Sequence, residues 1–546
     1  MADQFSNDSV NLVKNQYLCY FHLMLPEKYY YLKVAQSGDL KDKKERKLYR
    51  RLEMLPAILA WGTLISLAGF SWLAPFEVAI FVISFDIYWL IKTIYLALHL
   101  RTSYKKVTEN IKTDWIKKLN NLAKKDYAHP VGDWHDLYHL VIFPAYKEPY
   151  EIIKPSLDAL VNERYPKDRF IVVFAVEERA MEYARDISEK IKQEYGDKFG
   201  KFLISMHPKD LVGDVPGKGS NIAYAGRKAK ELIDGLKIPH ENIIVSAFDI
   251  DTVIHHGYFA CLTHSFLTTK NPLRSSYQPV PFYINNIWEA PSFARIFAFS
   301  STFWHMMQQE RSEKMTTFSS HSMSFKALID VDFWQPNMVS EDSRIFWQCF
   351  LRYDGDYKIR SLYFPVNMDA NVAETTGQTA VNQYRQVRRW GWGAENIPYF
   401  LFGFWKNKRI PMVDKWHYSF FIIEGFHSWA TNALAMFVFG WLPLVLGGEV
   451  FNSSLIAYNL PRITRIIMIL AMFGLVTSAV MAINLLPVRP VKYGRSKYVW
   501  IVLQWVLLPF TIIIFGALPG LESQTRLFLS GKYRLGFWVT PKTRKI

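Results

Sequence analysis

Apolar residues are spread unevenly along this chain, and the unevenness predicts its architecture. Residues 55–73 carry no charge, and residues 78–100 form a second long apolar run after a turn at Ala74-Pro75. Each is long enough to cross a hydrocarbon core of about 30 Å as a helix, so the two predict a transmembrane hairpin. Apolar runs resume at 416–446, 463–486 and 498–518. In the polar stretch between them, strand-like runs at 138–144, 170–176, 202–206 and 243–248 alternate with helical patterns at 150–163, 181–195 and 221–236. That alternation predicts an α/β domain with a mostly parallel sheet, whose ligands sit past the carboxyl ends of the strands. Six parts follow: an N-terminal segment 1–54, the hairpin 55–100, a basic connecting helix 101–136, the α/β domain 137–397, a C-terminal membrane region 398–518 and a basic tail 519–546.

Charge sets the orientation. The chain has 65 Lys+Arg against 49 Asp+Glu, a formal charge of +16. Such a surplus suits nucleic acid, an anionic membrane surface or phosphate-bearing substrates. Much of it flanks the apolar runs, at 41–51 and 101–125, as expected of cytoplasmic ends. The polar domain has neither a long basic run nor a nucleic-acid signature, so no nucleic-acid partner is expected. The reading is an integral, multi-pass protein of the plasma membrane with its soluble domain in the cytosol. Residues 1–54 precede the first apolar run, which argues against a cleavable signal peptide. The charge-poor link 447–459 reads as external, while Arg489, Lys492, Arg495 and Lys497 place the next loop inside. If 498–518 crossed, the basic tail would lie outside. Interrupted by Pro509, the segment is therefore expected to lie in the interface or re-enter.

Composition excludes other classes. Half the residues are apolar and 16% aromatic, which rules out a disordered or fibrous chain. Cys19, Cys261 and Cys349 are too few and too far apart for a disulfide framework or a CxxC metal site, and fit a reducing cytosol. Asp86, in mid-span of the second run, either pairs with a neighbouring helix or lines a polar path.

Candidate chemistry collects past the expected strand ends. Glu148 follows the first strand and Glu177 the second. Pro216-Gly-Lys-Gly-Ser-Asn221 opens a helix with Lys218 between two glycines, a turn whose amides can approach an anion. Asp249-Ile-Asp251 follows the fourth strand; two carboxylates at i and i+2 can share a hard divalent cation, although a bare DxD also occurs in solvated turns. His255 and His256 stand close by as extra ligands or, more simply, as structural residues. Ser340-Glu-Asp-Ser343 reads as a helix N-cap followed by acids. Gln386, Arg389 and Trp390 share one helical face, offering an amide, a guanidinium suited to phosphate and a stacking ring. An interfacial helix with a snorkelling arginine gives the same pattern. Phe537-Trp-Val-Thr-Pro-Lys542 lies in the basic tail.

Together, and in this order, Asp249-Ile-Asp251, Ser340-Glu-Asp342, Gln386–Trp390 and Phe537–Lys542 resemble the DxD, (T/S)ED, QxxRW and FxVTxK motifs of membrane-integrated family 2 glycosyltransferases. These are the cellulose-synthase-like enzymes, with chitin and hyaluronan synthases. The resemblance covers roughly residue 137 to the end of the chain. It implies a GT-A fold, a nucleotide-diphosphate sugar donor, usually UDP-linked, and Mg²⁺ or Mn²⁺. Residue by residue it implies Asp251 and Asp249 at the metal, with Glu148, Glu177, Lys218 and Asp249 at the donor. Gln386, Arg389 and Trp390 fall to the diphosphate and acceptor, and Phe537, Val539, Thr540 and Lys542 to a gating loop. Asp342 is the expected general base, with Glu341 holding it in place, and direct attack predicts inversion at the anomeric carbon. His321 is a further candidate near the acceptor. Where many relatives carry Asp, this chain has Glu177-Glu178. The long regulatory domain and the extra transmembrane helices of cellulose synthases are not evident in these residues. The function expected is processive polysaccharide synthesis, with export between helices lined by Asp86, Glu424 and His427. The alternatives are a single transfer to a polyprenyl-phosphate or other lipid-linked acceptor, and a transporter carrying an inactive domain of this kind.

Overall fold

The computed structural model of the chain describes residues 26–536, 538–541 and 543–544. Cys19, and Phe537 and Lys542 of the gating motif, lie outside the described residues.

The α/β expectation holds. β1 (Tyr138–Pro144), β2 (Phe170–Glu177), β3 (Lys201–His207) and β4 (Ile243–Ala247) sit close to where the apolar runs place them. β2 pairs parallel with β1 and β3, and β1 also pairs parallel with β4, so the carboxyl ends of all four share one edge. Side chains alternate between two buried layers. Leu140 and Ile142 face the layer holding Ile222 and Ala229 of the helix Lys218–Gly235, while Val141 and Phe143 face Ile153 and Phe259 on the other side. Burial on both faces is why these strands read as continuous apolar runs.

The rest of the sheet was not legible in the pattern. β5 (Val253–Ile254), β6 (Ser275–Phe282), β7 (Ser322–Ser324) and β8 (Lys358–Asn367) complete one eight-stranded sheet in the order β3-β2-β1-β4-β7-β6-β8-β5. β6 contains Pro279 and Pro281, residues that argue against a central strand, and its pairing with β8 shifts register between Gln278 and Val280. β7 runs antiparallel between β4 and β6. That reversal carries the 318–321 loop up beside the residues that follow β4.

A buried arginine fixes the start of the helix Glu341–Arg352. Arg344 donates to Asn396 Oδ1 (2.6 Å), Gln335 Oε1 (2.9 Å), and the carbonyls of Val34 and Glu395 (each 3.2 Å). Its guanidinium also lies 3.8 Å from the centre of the Tyr399 ring. The helix opens at Glu341, directly after the cap position expected of Ser340. Ser340 stands at the cap without bonding the helix amides; its hydroxyl donates to Glu395 Oε1 instead (2.8 Å).

Among the described residues, four helices are long and apolar enough to cross a membrane: Lys43–Leu73, Pro75–Lys112, Leu455–Leu485 and the composite Ser496–Leu529. A fifth span is counted if Met412–Phe437 and Phe439–Leu446, bent by 43°, are taken together. The first helix runs without a break from its Asp42 cap through the basic stretch into the apolar one. The final apolar run does not stop at 518. It passes a five-residue π segment, Ile513–Ala517, and continues as Leu518–Leu529. This last piece seats on the helix Thr376–Gly391, with Glu522 accepting from Arg388 (2.8 Å) and Tyr384 (2.9 Å). At the contact a Cβ on Gly391 would lie 3.1 Å from Ser523 Oγ and 3.2 Å from Gly520 Cα.

Gly391→Val overfills this contact and is expected to cost about 1–3 kcal/mol, read as a lower melting temperature of the detergent-solubilised protein. An unchanged melt would mean that the two helices do not depend on their close approach.

Candidate active site

Three separated stretches meet at one ammonium. Lys218 is the first residue of its helix, following Gly217 at φ 150, a backbone that favours glycine. Its Nζ lies 2.6 Å from Asp249 Oδ1 and 3.0 and 2.9 Å from the two oxygens of Asp342. Ser319 Oγ stands 3.4 Å from the same nitrogen and donates to Asp249 Oδ2 (2.6 Å). The lysine side chain is only 11% exposed, against 25% for Asp249 and 22% for Asp342, so the two acids rim the cleft while the cation sits between and below them. Burial alone would lower the pKa of Lys218. The charges of Asp249 and Asp342 outweigh it and hold the group well above its usual range, so it stays an ammonium.

Glu341 is not in the open cleft. It is buried, with its side chain packed where a Cβ on Gly219 would meet it at 3.1–3.3 Å; glycine at 219 is what lets the acidic helix start approach the lysine turn. Burial first, and the charge of Asp342 second, push its carboxyl up to about 8. His321 donates from Nδ1 to the Phe318 carbonyl (2.8 Å), and burial pulls its pKa down, leaving a neutral ring within the field of Asp342, Lys218 and Asp249.

Asp251 lies deeper. It is buried, and its Oδ2 accepts from the backbone N–H of Asp369 (3.0 Å). Asn285 Nδ2 spans the Asp251 carbonyl and Asp369 Oδ1, each at 3.0 Å. Among the described residues no three His, Cys, Asp or Glu side chains gather into a metal cage. Asp249 at the rim and the buried Asp251 offer carboxylate oxygens, the ligand type that hard divalent cations take. His255 does not join it: the ring bonds Asn367 Oδ1 (3.0 Å) and ties the loop to β8.

The tail reaches this rim. Arg544 holds both oxygens of Asp369 (2.7 and 3.2 Å) and reaches the Glu151 carbonyl (3.4 Å), while Thr543 donates to the Val372 carbonyl (3.1 Å). Val539 and Thr540 are half-buried. Trp390 packs against Tyr283 and Phe297, ring centres 6.3 and 5.8 Å apart, in a hollow that Gln386 and Asp369 also line. Gln386 accepts from Asn371 (3.3 Å). The buried phenol of Tyr283 is raised first by burial and then by Asp249, Asp251 and Asp342, and lowered by Arg389, so these groups share one electrostatic environment.

Glu148 and Glu177 serve the loops at the strand ends. Glu148 accepts from the Tyr146 amide, and Glu177 pairs with Arg179 (3.0 Å), whose guanidinium stacks 3.7 Å above the Tyr146 ring. Sequence reasoning missed Tyr283, Asn285 and Asp369, while Tyr146 and Arg179 fall just past the first two strand ends, Ser319 beside His321 and Arg544 in the basic tail.

No protein-family model and no curated protein matches the sequence. Solved structures with a similar fold include the mannosyltransferase PcManGT from Pyrobaculum calidifontis in complex with GDP-Man and Mn²⁺. It is 13% identical, with a TM-score of 0.40 over 74% of this chain and 99% of that one. S. aureus TarS 1-349 in complex with UDP is 13% identical, with a TM-score of 0.32 over 63% of this chain and 90% of that one. The same protein with UDP-GlcNAc is 13% identical and scores 0.29 over 65% and 93%. These likenesses are distant.

The raised carboxyl of Glu341 gives a stability signature. Between its usual value of 4.5 and about 8, the unfolded chain has released this proton while the folded chain keeps it, so folding weakens as pH rises through that window. Glu341→Gln is expected to flatten the decline in melting temperature from pH 5 to 8. An identical pH profile in the variant would show that Glu341 is ionised in the native protein.

Proposed function

We propose that this chain is a membrane-bound glycosyltransferase that moves a sugar from a nucleotide-diphosphate donor, UDP-linked by the motif resemblance, to an acceptor hydroxyl with inversion. The observation that supports it most is the buried Lys218 ammonium held between Asp249 and Asp342, one acid on the donor side and one on the acceptor side. In the reaction the acceptor O–H gives its proton to Asp342, the new O–C1 bond forms, and the C1–O bond to phosphate breaks with its electron pair leaving on the diphosphate. Lys218 and Arg389 stabilise that departing charge. Asp249 and Asp251 would hold a Mg²⁺ or Mn²⁺, which would supply further positive charge at the diphosphate. Tyr146, stacked on Arg179 at the strand ends, offers a face for the nucleobase, and Trp390 a platform for the acceptor sugar.

The clamp also orders the steps. While Lys218 bonds both oxygens of Asp342, that carboxylate is a poor base. A donor diphosphate competes for the ammonium and frees Asp342, so activation of the acceptor waits for the donor.

Purified protein given a panel of nucleotide sugars with Mg²⁺ or Mn²⁺ is expected to release the nucleoside diphosphate; silence across the panel contradicts a transferase. Asp342→Asn is expected to lower turnover by at least about 10²-fold with donor binding retained, and retained turnover removes Asp342 as the base. Sizing the product separates chain elongation, which the FxVTxK resemblance favours, from a single addition.

A further inference from the structure

A second charged cluster lies where the membrane helices meet the catalytic domain. Lys92 and Glu424, on the helices Pro75–Lys112 and Met412–Phe437, face each other at 3.5 Å, with side chains 22% and 38% exposed. Measured along each helix they are level. Lys92 is eight residues before Leu100 and Glu424 eight residues after Trp416, the ends of the two apolar runs nearest the catalytic domain. Eight residues put both about 12 Å inside those ends. Ionisable groups at such a depth are costly and mark a functional path more often than not.

Lys314, from the loop of the catalytic domain that precedes Phe318, reaches the same place. Its ammonium lies 3.6 Å from the centre of the Phe421 ring, one turn from Glu424, and it feels the charges of both Glu424 and Lys92. Among the described residues Lys314 makes no ion pair. Arg311 and Glu313 next to it offset one another. One carboxylate therefore lies in the field of two ammoniums, and the cluster carries one surplus positive charge between aromatic walls formed by Trp89 (4.4 Å from Lys92 Nζ) and Phe421.

The cluster is connected to the site. Lys314 is five residues from Ser319, whose hydroxyl bonds Asp249 and which lies beside Lys218. Five residues bound the separation at about 17 Å. An anion seated at Lys314 therefore lies within that reach of the site, placed to carry an attacking hydroxyl to it.

Resting on the transferase reading above, we infer that Lys92 and Lys314 hold the phosphate or diphosphate of a lipid-linked saccharide acceptor. The lipid chain lies between the two membrane helices, and a sugar hydroxyl reaches Asp342. This assigns the acceptor to a class of its own, a sugar on an anionic lipid, and gives the membrane helices a substrate-binding task. Glu424 keeps Lys92 charged and in place until the phosphate arrives.

The test needs no donor, so its failure is separable from failure of the transferase reading. Full-length protein in nanodiscs of uncharged lipid is titrated with a fluorescent polyprenyl diphosphate, with inorganic pyrophosphate as a competing arm. Wild type is expected to bind the lipid and Lys314→Gln to bind it about tenfold more weakly. Glu424→Gln, which removes the competing carboxylate, is expected to bind it more tightly. Pyrophosphate at equal concentration is expected not to displace it. Absence of lipid binding, unchanged affinity in Lys314→Gln, or weaker binding in Glu424→Gln would overturn the assignment. Full displacement by pyrophosphate would also overturn it, in favour of a soluble anion.

Discussion

Two carboxylates cannot be pushed together in a shielded cleft unless a cation comes with them, and in this chain the cation is Lys218. Without it, Asp249 and Asp342 would repel at short range where little water is available to screen them. Much of the surrounding architecture is what brings that lysine to them. Gly217 allows the turn, and Gly219 leaves room for the buried Glu341. Arg344, itself buried, anchors the helix that presents Asp342, and the antiparallel β7 delivers Ser319. The same interaction links structure to chemistry, because a group that neutralises a base must be drawn away before the base can act.

The membrane part and the soluble part are not separate modules in this protein. The helix Thr376–Gly391 presents Gln386 and Trp390 to the site on one side and receives Leu518–Leu529 on the other through the Gly391–Gly520 approach. The first helix joins the same contact, with Arg50 donating to the Leu527 carbonyl (3.1 Å) and Glu53 accepting from Arg534 (3.1 Å). Two polar groups within the helices bond neighbouring helices: Asp86 accepts from Thr464 (3.1 Å) and His427 meets Thr63 (2.9 Å). Glu424 differs from these two because, besides pairing with Lys92, it lies in the field of Lys314 from the α/β domain.

The first four strands were legible because both faces of each are covered, which writes them as unbroken apolar runs between turn residues. β6 and β8 were not, since proline and serine are tolerated there by irregular pairing that only the finished sheet reveals. In the site, Lys218, Asp249 and Asp342 could be picked out from local spacing. Their convergence could not, because residues 218, 249 and 342 are brought together by strand order and not by sequence proximity. Asp369 and Asn285 leave no motif at all. The extent of the last helix was missed for a related reason: Glu522 and Arg526 look like the end of an apolar run, yet each finds a partner on a packed surface, at 2.8 Å for Glu522 with Arg388 and 2.6 Å for Arg526 with Glu522.

The claim at the centre of this account is that Lys218 changes partners. It is tested most directly by a structure of the full chain in a bilayer mimetic with a non-transferable nucleotide-sugar analogue and Mg²⁺. The account predicts Lys218 Nζ within hydrogen-bond distance of the diphosphate and beyond it from Asp342, whose carboxylate then faces the acceptor hollow beside Trp390. An analogue bound with Lys218 still bridging Asp249 and Asp342, or bound away from all three residues, would contradict it.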